Sequence, residues 1–422
     1  MRVLTGLLST QAKACGYGLV GKGIYQMNRK LFTADFEDIK SGRVTDIYFE
    51  RTIKILKAKG IDKWVKAEFI AKSLPDDGEW GVFAGLEECT RLFEGMKINV
   101  RSMPEGAIFK TYHPVLEIEG MYTDFGIYET AILGLLCQAS GIATKAARCK
   151  KFAEDRGVIS FGARRMHPSI APMIERSAYI GGCDGVSVLM SGELIGADPV
   201  GTMPHSLIIL MGNSVEATKA FHEVIEPQVK RVALVDTFGD EKFEAIAVAE
   251  AMGEKLYGVR LDTPASRRGN FLRILQEVRW ELDLRGYQHV KLFVSGGLDE
   301  HKIIELNPYV DAYGVGTAIS SAKVIDFAMD IIEVDGKPLA KRGKMSGSKR
   351  VLRCNGCYNS MMIPLKENSG FKSQISNCEC GGDFRDILQS HVEGGKIVAD
   401  RPAAKEIRDY VLNQLRHFSL CH

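Results

Sequence analysis

The chain has 422 residues, of which 45% are hydrophobic and 26% are charged, a balance typical of a globular protein with two or three domains. Its 55 basic and 53 acidic residues leave a net charge of +2, which argues against a surface for nucleic acid or membrane. Apolar stretches such as residues 131–137 are too short to span a bilayer, and residues 1–15 lack the pattern of a secretion signal. Ten cysteines do not make a disulfide scaffold in a chain of this length, so a cytoplasmic location is expected.

The N-terminal part shows the patterns of a mixed α+β domain, predicted to cover residues 1–125. Residues 43–59 have apolar positions at helical spacing. Tyr48 falls in the first turns of that helix, where composition alone favours packing of its ring in a core. Residues 107–120 predict a pair of strands. The basic segment 331–353 is predicted to return to this domain and complete it.

The middle of the chain alternates strand-like and helix-like segments. The strand-like runs are 158–161, 186–190, 199–201, 232–235, 256–261, 290–294 and 310–315. Helix signals lie between most of them: Ser214 and Asp299 are suited to cap helices, and residues 239–252 are rich in alanine and glutamate. Continuous apolar strands alternating with helices predict a parallel sheet with helices covering it.

Polar residues follow these strands one after another, and this repetition favours a barrel. In a (β/α) barrel the carboxyl ends of all strands form one mouth, whereas a doubly wound open sheet binds its ligand at a single crevice. We therefore predict an α/β fold: an open or irregular barrel of about seven parallel strands over residues 126–330. An N-terminal α+β domain and a small C-terminal zinc-binding domain complete the expected architecture.

Two glycine turns lie at the ends of the last two predicted strands. Ser295, Gly296 and Gly297 follow the first, and Gly316 and Thr317 follow the second. Either turn alone would be read as an ordinary turn. Two of them at consecutive strand ends, each before a helix start, predict a phosphate site. No G-x-G-x-x-G occurs in a βαβ context and no P-loop motif is present, so neither dinucleotide nor P-loop binding is supported.

The other mouth residues combine cationic groups with carboxylates. Arg164, Arg165 and Arg260 can hold a carboxylate or a phosphate, and Asp236 and Asp262 can bind magnesium or sugar hydroxyls. His205 follows a proline between two hydroxyl residues. Taken singly, such an arginine pair is usually solvated, such an aspartate is often a helix cap, and a lone histidine is more often structural. Together they suit a phosphorylated sugar that loses a charged leaving group.

Several segments, in order, resemble those of the nicotinate phosphoribosyltransferase family. They are TDIY at 45–48, ET at 129–130, FGARR at 161–165, GGCDGVS at 181–187, GTMPHS at 201–206, LVDTF at 234–238, VRLD at 259–262, SGGL at 295–298 and GVGT at 314–317. The resemblance covers roughly the first 350 residues. One departure is TPA at 263–265, where many members read SGD, and this puts in doubt an acidic role just past Asp262.

The resemblance implies a reaction of nicotinate with 5-phosphoribosyl 1-diphosphate, giving nicotinate mononucleotide and pyrophosphate in NAD salvage. Gly296, Gly297, Gly316 and Thr317 would then hold the 5-phosphate, with Ser295 beside them. Asp236 and Asp262 would engage the ribose or magnesium. His205 occupies a position associated in the family with ATP coupling through a phosphohistidine.

For the pyridine ring, the resemblance implies that Arg165, with Arg164 as second choice, holds the nicotinate carboxylate, and Phe161 belongs to the same motif. Ser187 stands where relatives that use nicotinamide are expected to carry an acid, so a neutral serine favours nicotinate. The resemblance also raises a second reading of Tyr48, in which its ring stacks on the pyridine of a neighbouring subunit. Shared active sites of that kind imply a homo-oligomer.

The C-terminal part, residues 354–422, carries two short cysteine pairs. Cys354 and Cys357 form a C-x-x-C, and Cys378 and Cys380 form a C-x-C followed by two glycines. This spacing predicts a structural zinc site with four thiolate ligands. Four free thiols or a disulfide are the alternatives.

Two other functions fit part of the pattern. Quinolinate phosphoribosyltransferase has a similar open barrel but must hold two carboxylates, and the order of motifs and the tail favour nicotinate. A zinc-ribbon nucleic-acid-binding protein with a degenerate barrel is the alternative from another class, and the near-zero net charge argues against it.

Overall fold

The computed structural model describes residues 31–366 and 378–419. Parts of the predicted terminal domains (1–30, 367–377 and 420–422) lie outside the described residues. The chain divides into two compact units, 1–44 and 45–422. The described part of the first unit contains a short helix, Phe36–Lys40, capped by Asp35. All residues discussed below belong to the second unit.

The described strands are numbered here in chain order. They are β1 (Trp64–Ala71), β2 (Gly81–Val82), β3 (Ile98–Ser102), β4 (Ile108–Phe109), β5 (Leu116–Met121), β6 (Gly157–Ser160), β7 (Val232–Leu234), β8 (Gly258–Leu261), β9 (Lys291–Ser295), β10 (Ala312–Val315), β11 (Phe327–Val334), β12 (Lys337–Pro338), β13 (Lys349–Cys354), β14 (Ser360–Pro364), β15 (Phe384–Asp386), β16 (Gln389–Glu393) and β17 (Lys396–Ile397). The α-helices of the second unit are Ile47–Ala58, Leu86–Phe93, Tyr122–Phe125, Glu129–Ala153, Ala171–Ile180, Leu189–Ile195, His205–Met211, Ser214–Val224, Glu241–Met252, Phe271–Leu284, Glu300–Leu306, Thr317–Ser320 and Ala404–Leu415.

A seven-stranded antiparallel sheet has the order β12-β11-β1-β5-β3-β16-β17. Its strands come from three separate parts of the sequence, because β11 pairs with β1 and β16 pairs with β3. The C-terminal helix Ala404–Leu415 is tied to the same region: the side chain of Gln414 accepts from the N–H of Ile108 and donates to the carbonyl of Gly106. These pairings show which segments meet, and the domain boundaries remain a prediction.

A second sheet is parallel and has the order β6-β10-β9-β8-β7. Five of the seven predicted strands therefore form. The predicted strand 186–190 is wrong: only a single bridge joins Gly185 to Ile159, and a helix begins at Leu189. The reason is local, since the N–H groups of Ser187 and Val188 donate to the buried carboxylate of Glu175 instead of to a strand.

The predicted strand 199–201 is also wrong, because these residues form no strand. The N–H of Val200 nevertheless donates to the carbonyl of Val186 at 2.6 Å. The two segments thus continue the hydrogen bonding beyond β6 without the regular ladder of a strand.

Two helix starts show which residues act as caps. Asn213, rather than the predicted Ser214, caps the helix Ser214–Val224, with its side chain accepting from the N–H of Glu216. The hydroxyl of Ser214 instead donates to Glu244. Asp299 caps the helix Glu300–Leu306 as predicted, accepting from the N–H of Lys302 at 2.9 Å.

The apolar core lies between the parallel sheet and the helices that cover it, including the long helix Glu129–Ala153. The stretch Tyr122–Ala153 is long and apolar enough to cross a membrane by length and composition alone, which the shorter apolar runs did not suggest. Half of its most apolar window is buried inside the protein. Such burial is what the core helix of a globular protein shows.

Candidate active site

The carboxyl ends of β6–β10 meet at one edge of the parallel sheet, called here the carboxyl edge. Parallel strands place their ends on the same side, so residues that are far apart in sequence become neighbours. Contacts between them run from Phe161 after β6 to Ser295 at the end of β9 and to Asp262 after β8. Asp236 after β7 completes the row. The structure thus brings together most of the residues predicted to act on the sugar phosphate.

Asp236, Asp262 and His205 form the centre of this edge. Nε2 of His205 lies 4.0 Å from Asp236 and 3.8 Å from Asp262, and its Nδ1 is 3.0 Å from the hydroxyl of Thr237. The Asp236 carboxylate accepts from the N–H of Asp262 at 3.1 Å. Each Nε2–carboxylate separation leaves little space, so a ligand here would contact the imidazole and both acids.

The two carboxylates have different environments. The side chain of Asp236 is 2% exposed and that of Asp262 is 30% exposed. Burial raises the pKa of Asp236 to about 6; His205 opposes the shift and Asp262 adds to it. One Asp236 oxygen, Oδ1, is buried and has no hydrogen-bond partner within the described residues. An orphaned carboxylate oxygen beside a second carboxylate fits a hard cation such as magnesium.

Arg260 is a half-buried cation beside these acids. It donates to the carbonyl of Met203 at 3.1 Å and lies 3.4 Å from the hydroxyl of Ser295. Ser295 in turn donates to Asp262 at 2.9 Å. Burial lowers the pKa of Arg260. These bonds orient Asp262, so Arg260 supports the acids from within the protein.

The turn Gly296-Gly297 has φ of +81° and +60°, a left-handed geometry that favours glycine. A Cβ on Gly296 would lie 2.8 Å from Asp262 Oδ1, so no larger residue fits. Neither glycine N–H has an acceptor within the described residues. The helices after the two glycine turns have only seven and four residues, so their N-termini are weak candidates for binding an anion. The N–H groups of Gly296 and Gly297 are the better-supported anion donors.

Close packing at the other turn requires glycine as well. The ring of Phe161 covers Gly314, where a Cβ would lie 2.4 Å from the ring. Gly162 lies against the carbonyl of Gly316 and the side chain of Ser320. Thr317 is exposed beside Gly316. This packing fixes the ends of β6 and β10 relative to one another.

Arg164 and Arg165 lie in a short helical turn after β6 and are both exposed. Neither guanidinium group makes a hydrogen bond or an ion pair with the described part of the chain, and only the backbone N–H of Arg165 is bonded, to the carbonyl of Gly162. Arg164 is close enough to Arg260 to lower its pKa, although burial is the larger cause. Both guanidinium groups therefore keep their donors for a ligand.

Ser187 has an environment that the sequence did not indicate. Its hydroxyl donates at 2.6 Å to Glu175, a fully buried carboxylate that also accepts from the N–H groups of Ser187 and Val188. An acid is therefore next to this position, but its oxygens are already engaged. The only sequence signal was a lone glutamate in the apolar helix Ala171–Ile180.

Tyr48 is not joined to the carboxyl edge by any contact among the described residues. It lies in the first turn of the helix Ile47–Ala58, is 56% exposed, and contacts the ring of Phe49. Thr130 fixes the start of this helix by donating to Asp46. The side chain is free to contact another molecule, and composition alone had favoured a core position.

The four predicted zinc ligands form one cluster. The sulfur atoms of Cys354, Cys357, Cys378 and Cys380 all lie within 4.8 Å of one another, and two pairs are 3.4 Å apart. Thiolates at about 2.3 Å around a tetrahedral zinc would be separated by about 3.8 Å. A Cβ on Gly382 would lie 2.6 Å from Cys354, so a glycine is needed for this approach. The cluster fits a metal such as zinc.

Comparison with known proteins agrees with this geometry. The quinolinate phosphoribosyl transferase N-terminal domain model matches residues 46–140, and the C-terminal domain model matches 142–330. The nicotinate phosphoribosyltransferase pncB1 of Mycobacterium tuberculosis is 32% identical over 326 residues, 74% of this chain and 70% of the relative. The chain belongs to the type II phosphoribosyltransferase family.

Other members of the type II phosphoribosyltransferase family match to different extents. The nicotinate phosphoribosyltransferase of Bacillus subtilis is 28% identical over 68% of this chain, which spans only 65% of that relative. The crystal structure of nicotinate-nucleotide pyrophosphorylase from Pyrococcus furiosus is 55% identical, with a TM-score of 0.89, over 92% of this chain and 99% of that one.

Proposed function

We propose that this protein transfers the phosphoribosyl group of 5-phosphoribosyl 1-diphosphate to nicotinate, giving nicotinate mononucleotide and pyrophosphate in NAD salvage. The observation that carries the proposal is the meeting of Asp236 and Asp262 with the unpaired N–H groups of Gly296 and Gly297. An acid pair beside an anion-binding turn suits a sugar that carries a phosphate. Two relatives named nicotinate phosphoribosyltransferase support the choice of base.

The chemistry requires no activating base, because the pyridine nitrogen of nicotinate already has a free lone pair. It attacks C1 of the ribose, the bond from C1 to the pyrophosphate oxygen breaks, and pyrophosphate leaves with the bonding electrons. Positive charge develops on the ribose during this step. The carboxylates of Asp236 and Asp262 would stabilise that charge, and the geometry of the site would align the reactants.

The remaining site residues have roles that the geometry supports. Arg165, with Arg164 beside it, would hold the nicotinate carboxylate, because both cations are exposed at the strand end and lack protein partners. Phe161 would form a wall of the ring pocket, and Ser187 would lie at its far side. Gly316 and Thr317 would add donors to the phosphate site.

Two metals belong to the proposal. Asp236 and Asp262 would hold magnesium, which when bound neutralises charge on the pyrophosphate. The cysteine cluster would hold zinc in a structural role, with four ligands and no open position. The parallel sheet, continued by Gly185 and Val200, would be part of an open barrel.

Assembly and coupling are also proposed. Exposed Tyr48 would stack on the pyridine in the active site of a neighbouring subunit, which makes the protein a homo-oligomer in the cytoplasm. His205 would couple the reaction to ATP by carrying a phosphoryl group. Acid-labile phosphate should then appear on the protein after incubation with ATP and be absent from His205→Ala.

Quinolinate phosphoribosyl transfer is the second candidate, because both matching family models carry that name. Quinolinate has two carboxylates, so the site would have to bind a second one, and the reaction would release carbon dioxide. The assay that decides is pyrophosphate release from 5-phosphoribosyl 1-diphosphate with nicotinate or quinolinate as the acceptor. Release with nicotinate alone supports the proposal, and carbon dioxide release from quinolinate favours the second candidate.

A further inference from the structure

Arg268 lies beside the Gly296-Gly297 turn and belongs to no motif that the sequence showed. It is in the loop between β8 and the helix Phe271–Leu284, and its guanidinium packs 4.5 Å from the ring centre of Phe271. This loop begins with the TPA sequence, where many family members read SGD. Arg268 follows this departure in the same loop.

Three carbonyl oxygens around the turn accept from this one side chain. Nε of Arg268 donates to Thr263 at 2.5 Å, and Nη2 donates to Ser295 at 2.9 Å and also to Gly296. In a trans peptide the N–H points away from the preceding C=O. Because the carbonyls of Ser295 and Gly296 face Arg268, the N–H groups of Gly296 and Gly297 face the opposite side.

The other end of the guanidinium is still available. Nη1 lies 4.0 Å from the position of a Cβ on Gly297 and makes no hydrogen bond within the described residues. The positive charge of Arg268 lies behind the turn, and together with the two unpaired N–H groups on the opposite side it favours an anion there. The planar fork of arginine suits this double task, whereas the single ammonium of lysine cannot hold three separated carbonyls.

We propose that Arg268 is the positioning residue of the phosphate site: it holds the Gly296-Gly297 turn in the conformation that binds the 5-phosphate of the substrate. This inference rests on the proposed function. In this proposal the N–H groups of the turn bind the phosphate, and Arg268 maintains the conformation of the turn.

Calorimetric binding of ribose 5-phosphate to the full-length protein tests this role without requiring turnover. We expect Arg268→Ala to weaken binding at least about tenfold, because a charge-assisted hydrogen bond at a partly buried site contributes on the order of one such factor or more. Arg268→Lys should recover little of that loss, since it restores charge but not the fork. The matched control is Arg267→Ala, which removes an exposed arginine from the same loop and should bind within about twofold of wild type.

A second readout separates positioning from a general loss of structure. Millimolar guanidinium ion should partly restore ribose 5-phosphate binding to Arg268→Ala, and ammonium ion should not. Inhibition by pyrophosphate alone should change by less than about twofold, because pyrophosphate would bind elsewhere. If Arg268→Ala does not fold, the binding of ribose 5-phosphate by Arg268→Lys is compared with that by wild type and by Arg267→Ala.

The outcomes differ for the two proposals. Wild-type protein that binds neither ribose 5-phosphate nor 5-phosphoribosyl 1-diphosphate would overturn the proposed function together with this inference. Wild-type binding with an unaffected Arg268→Ala, full recovery by lysine, or a loss confined to pyrophosphate would overturn only the role of Arg268.

Discussion

Asp236 and Asp262 are neighbours at the carboxyl edge, yet only Asp236 is almost completely buried. A buried carboxylate with an unpaired oxygen is costly when charged. Such a cost is tolerated where a cation or a developing positive charge uses the carboxylate during function. At the scale of single residues, the site therefore combines a carboxylate whose burial is costly, that of Asp236, with a partly exposed one that accepts a hydrogen bond from Ser295, that of Asp262.

Asp236→Asn is predicted to stabilise the fold at neutral pH and to lower activity. The folded-state pKa of Asp236 is raised from 3.8 to about 6, so the folded protein binds this proton more tightly than the unfolded chain. The free energy of unfolding therefore falls as pH rises between these two values, and the full cost is present above the folded pKa. In metal-free buffer at about pH 8 we expect a gain of about 1–3 kcal/mol over wild type.

Urea unfolding of both proteins at several pH values checks this expectation. The two curves should converge below about pH 4, where the carboxyl group is protonated in the folded and unfolded states alike. A gain that is equal at acid and neutral pH would show that burial of charge is not its cause.

Arg165→Ala is predicted to weaken nicotinate binding while leaving 5-phosphoribosyl 1-diphosphate binding nearly unchanged. The nicotinate carboxylate loses its cationic partner in this variant, so the KM for nicotinate should rise about tenfold or more. Arg164→Ala, the adjacent exposed arginine, is the matched comparison and should have a smaller effect. A loss confined to 5-phosphoribosyl 1-diphosphate would assign Arg165 to the phosphates instead.

The sequence alone was sufficient to predict that residues at or directly after strand ends lie close together. Asp236, Asp262 and Ser295 could be placed together because parallel strands align their carboxyl ends. Arg268 and Glu175 could not be placed, since their partners are chosen by tertiary folding and no short motif surrounds them. The only sequence signal was a charged residue in each case: Arg268 in the loop that departs from the family pattern, and Glu175 inside an apolar helix.

At the scale of elements, β10 shows how tightly the parallel sheet is packed. Gly314 lies between β6 and β9, under the ring of Phe161 and next to Ser295. Any side chain at this position must displace one of these two site residues. The glycine therefore connects the packing of the sheet to the geometry of the site.

Gly314→Ala is predicted to destabilise the protein by about 1–3 kcal/mol, because the added methyl group overlaps the ring of Phe161. Activity should fall with it. Gly134→Ala is the control: Gly134 lies inside the helix Glu129–Ala153 with nothing within 4 Å, so the substitution should be neutral or stabilising by up to about 1 kcal/mol. Adding Phe161→Ala should relieve the Gly314→Ala defect, and the absence of such coupling in thermal unfolding would contradict this contact.

Strand prediction succeeded where an apolar run was continuous. It failed where backbone N–H groups donate to a nearby side chain instead of to a neighbouring strand. The runs that became β6–β10 were predicted, but the Glu175 carboxylate accepts from the N–H groups of Ser187 and Val188, where a strand had been predicted. The predicted pairing within residues 107–120 is also wrong. There β4 pairs with β2, and β5 pairs with β1 and β3.

At the scale of the whole molecule, the tail is connected to the rest by defined bonds. β16 extends the antiparallel sheet, and Arg353, just before the first cysteine of the cluster, donates to the same Gln414 oxygen as the N–H of Ile108. The cysteine cluster lies between these connections, with residues 367–377 outside the described part. We therefore expect zinc to stabilise the tail without entering the reaction.

Cys357→Ser is predicted to lose the bound zinc and to expose the tail to protease. Removing one of four thiolates leaves an incomplete tetrahedral site, which binds the metal weakly. Metal analysis should find one zinc per chain in wild type and in Cys137→Ser, a control cysteine outside the cluster. Transferase activity should be largely retained; loss of activity in step with zinc would mean that the tail supports the active site.

The central claim is that this member of the type II phosphoribosyltransferase family acts on nicotinate. Its most direct test is pyrophosphate release from 5-phosphoribosyl 1-diphosphate with nicotinate, nicotinamide and quinolinate in parallel. We predict a kcat/KM for nicotinate roughly 100-fold or more above that for nicotinamide, because a neutral amide leaves the arginine pocket unpaired. Quinolinate should release no carbon dioxide. Comparable use of nicotinamide, or faster turnover of quinolinate with carbon dioxide release, would contradict the claim.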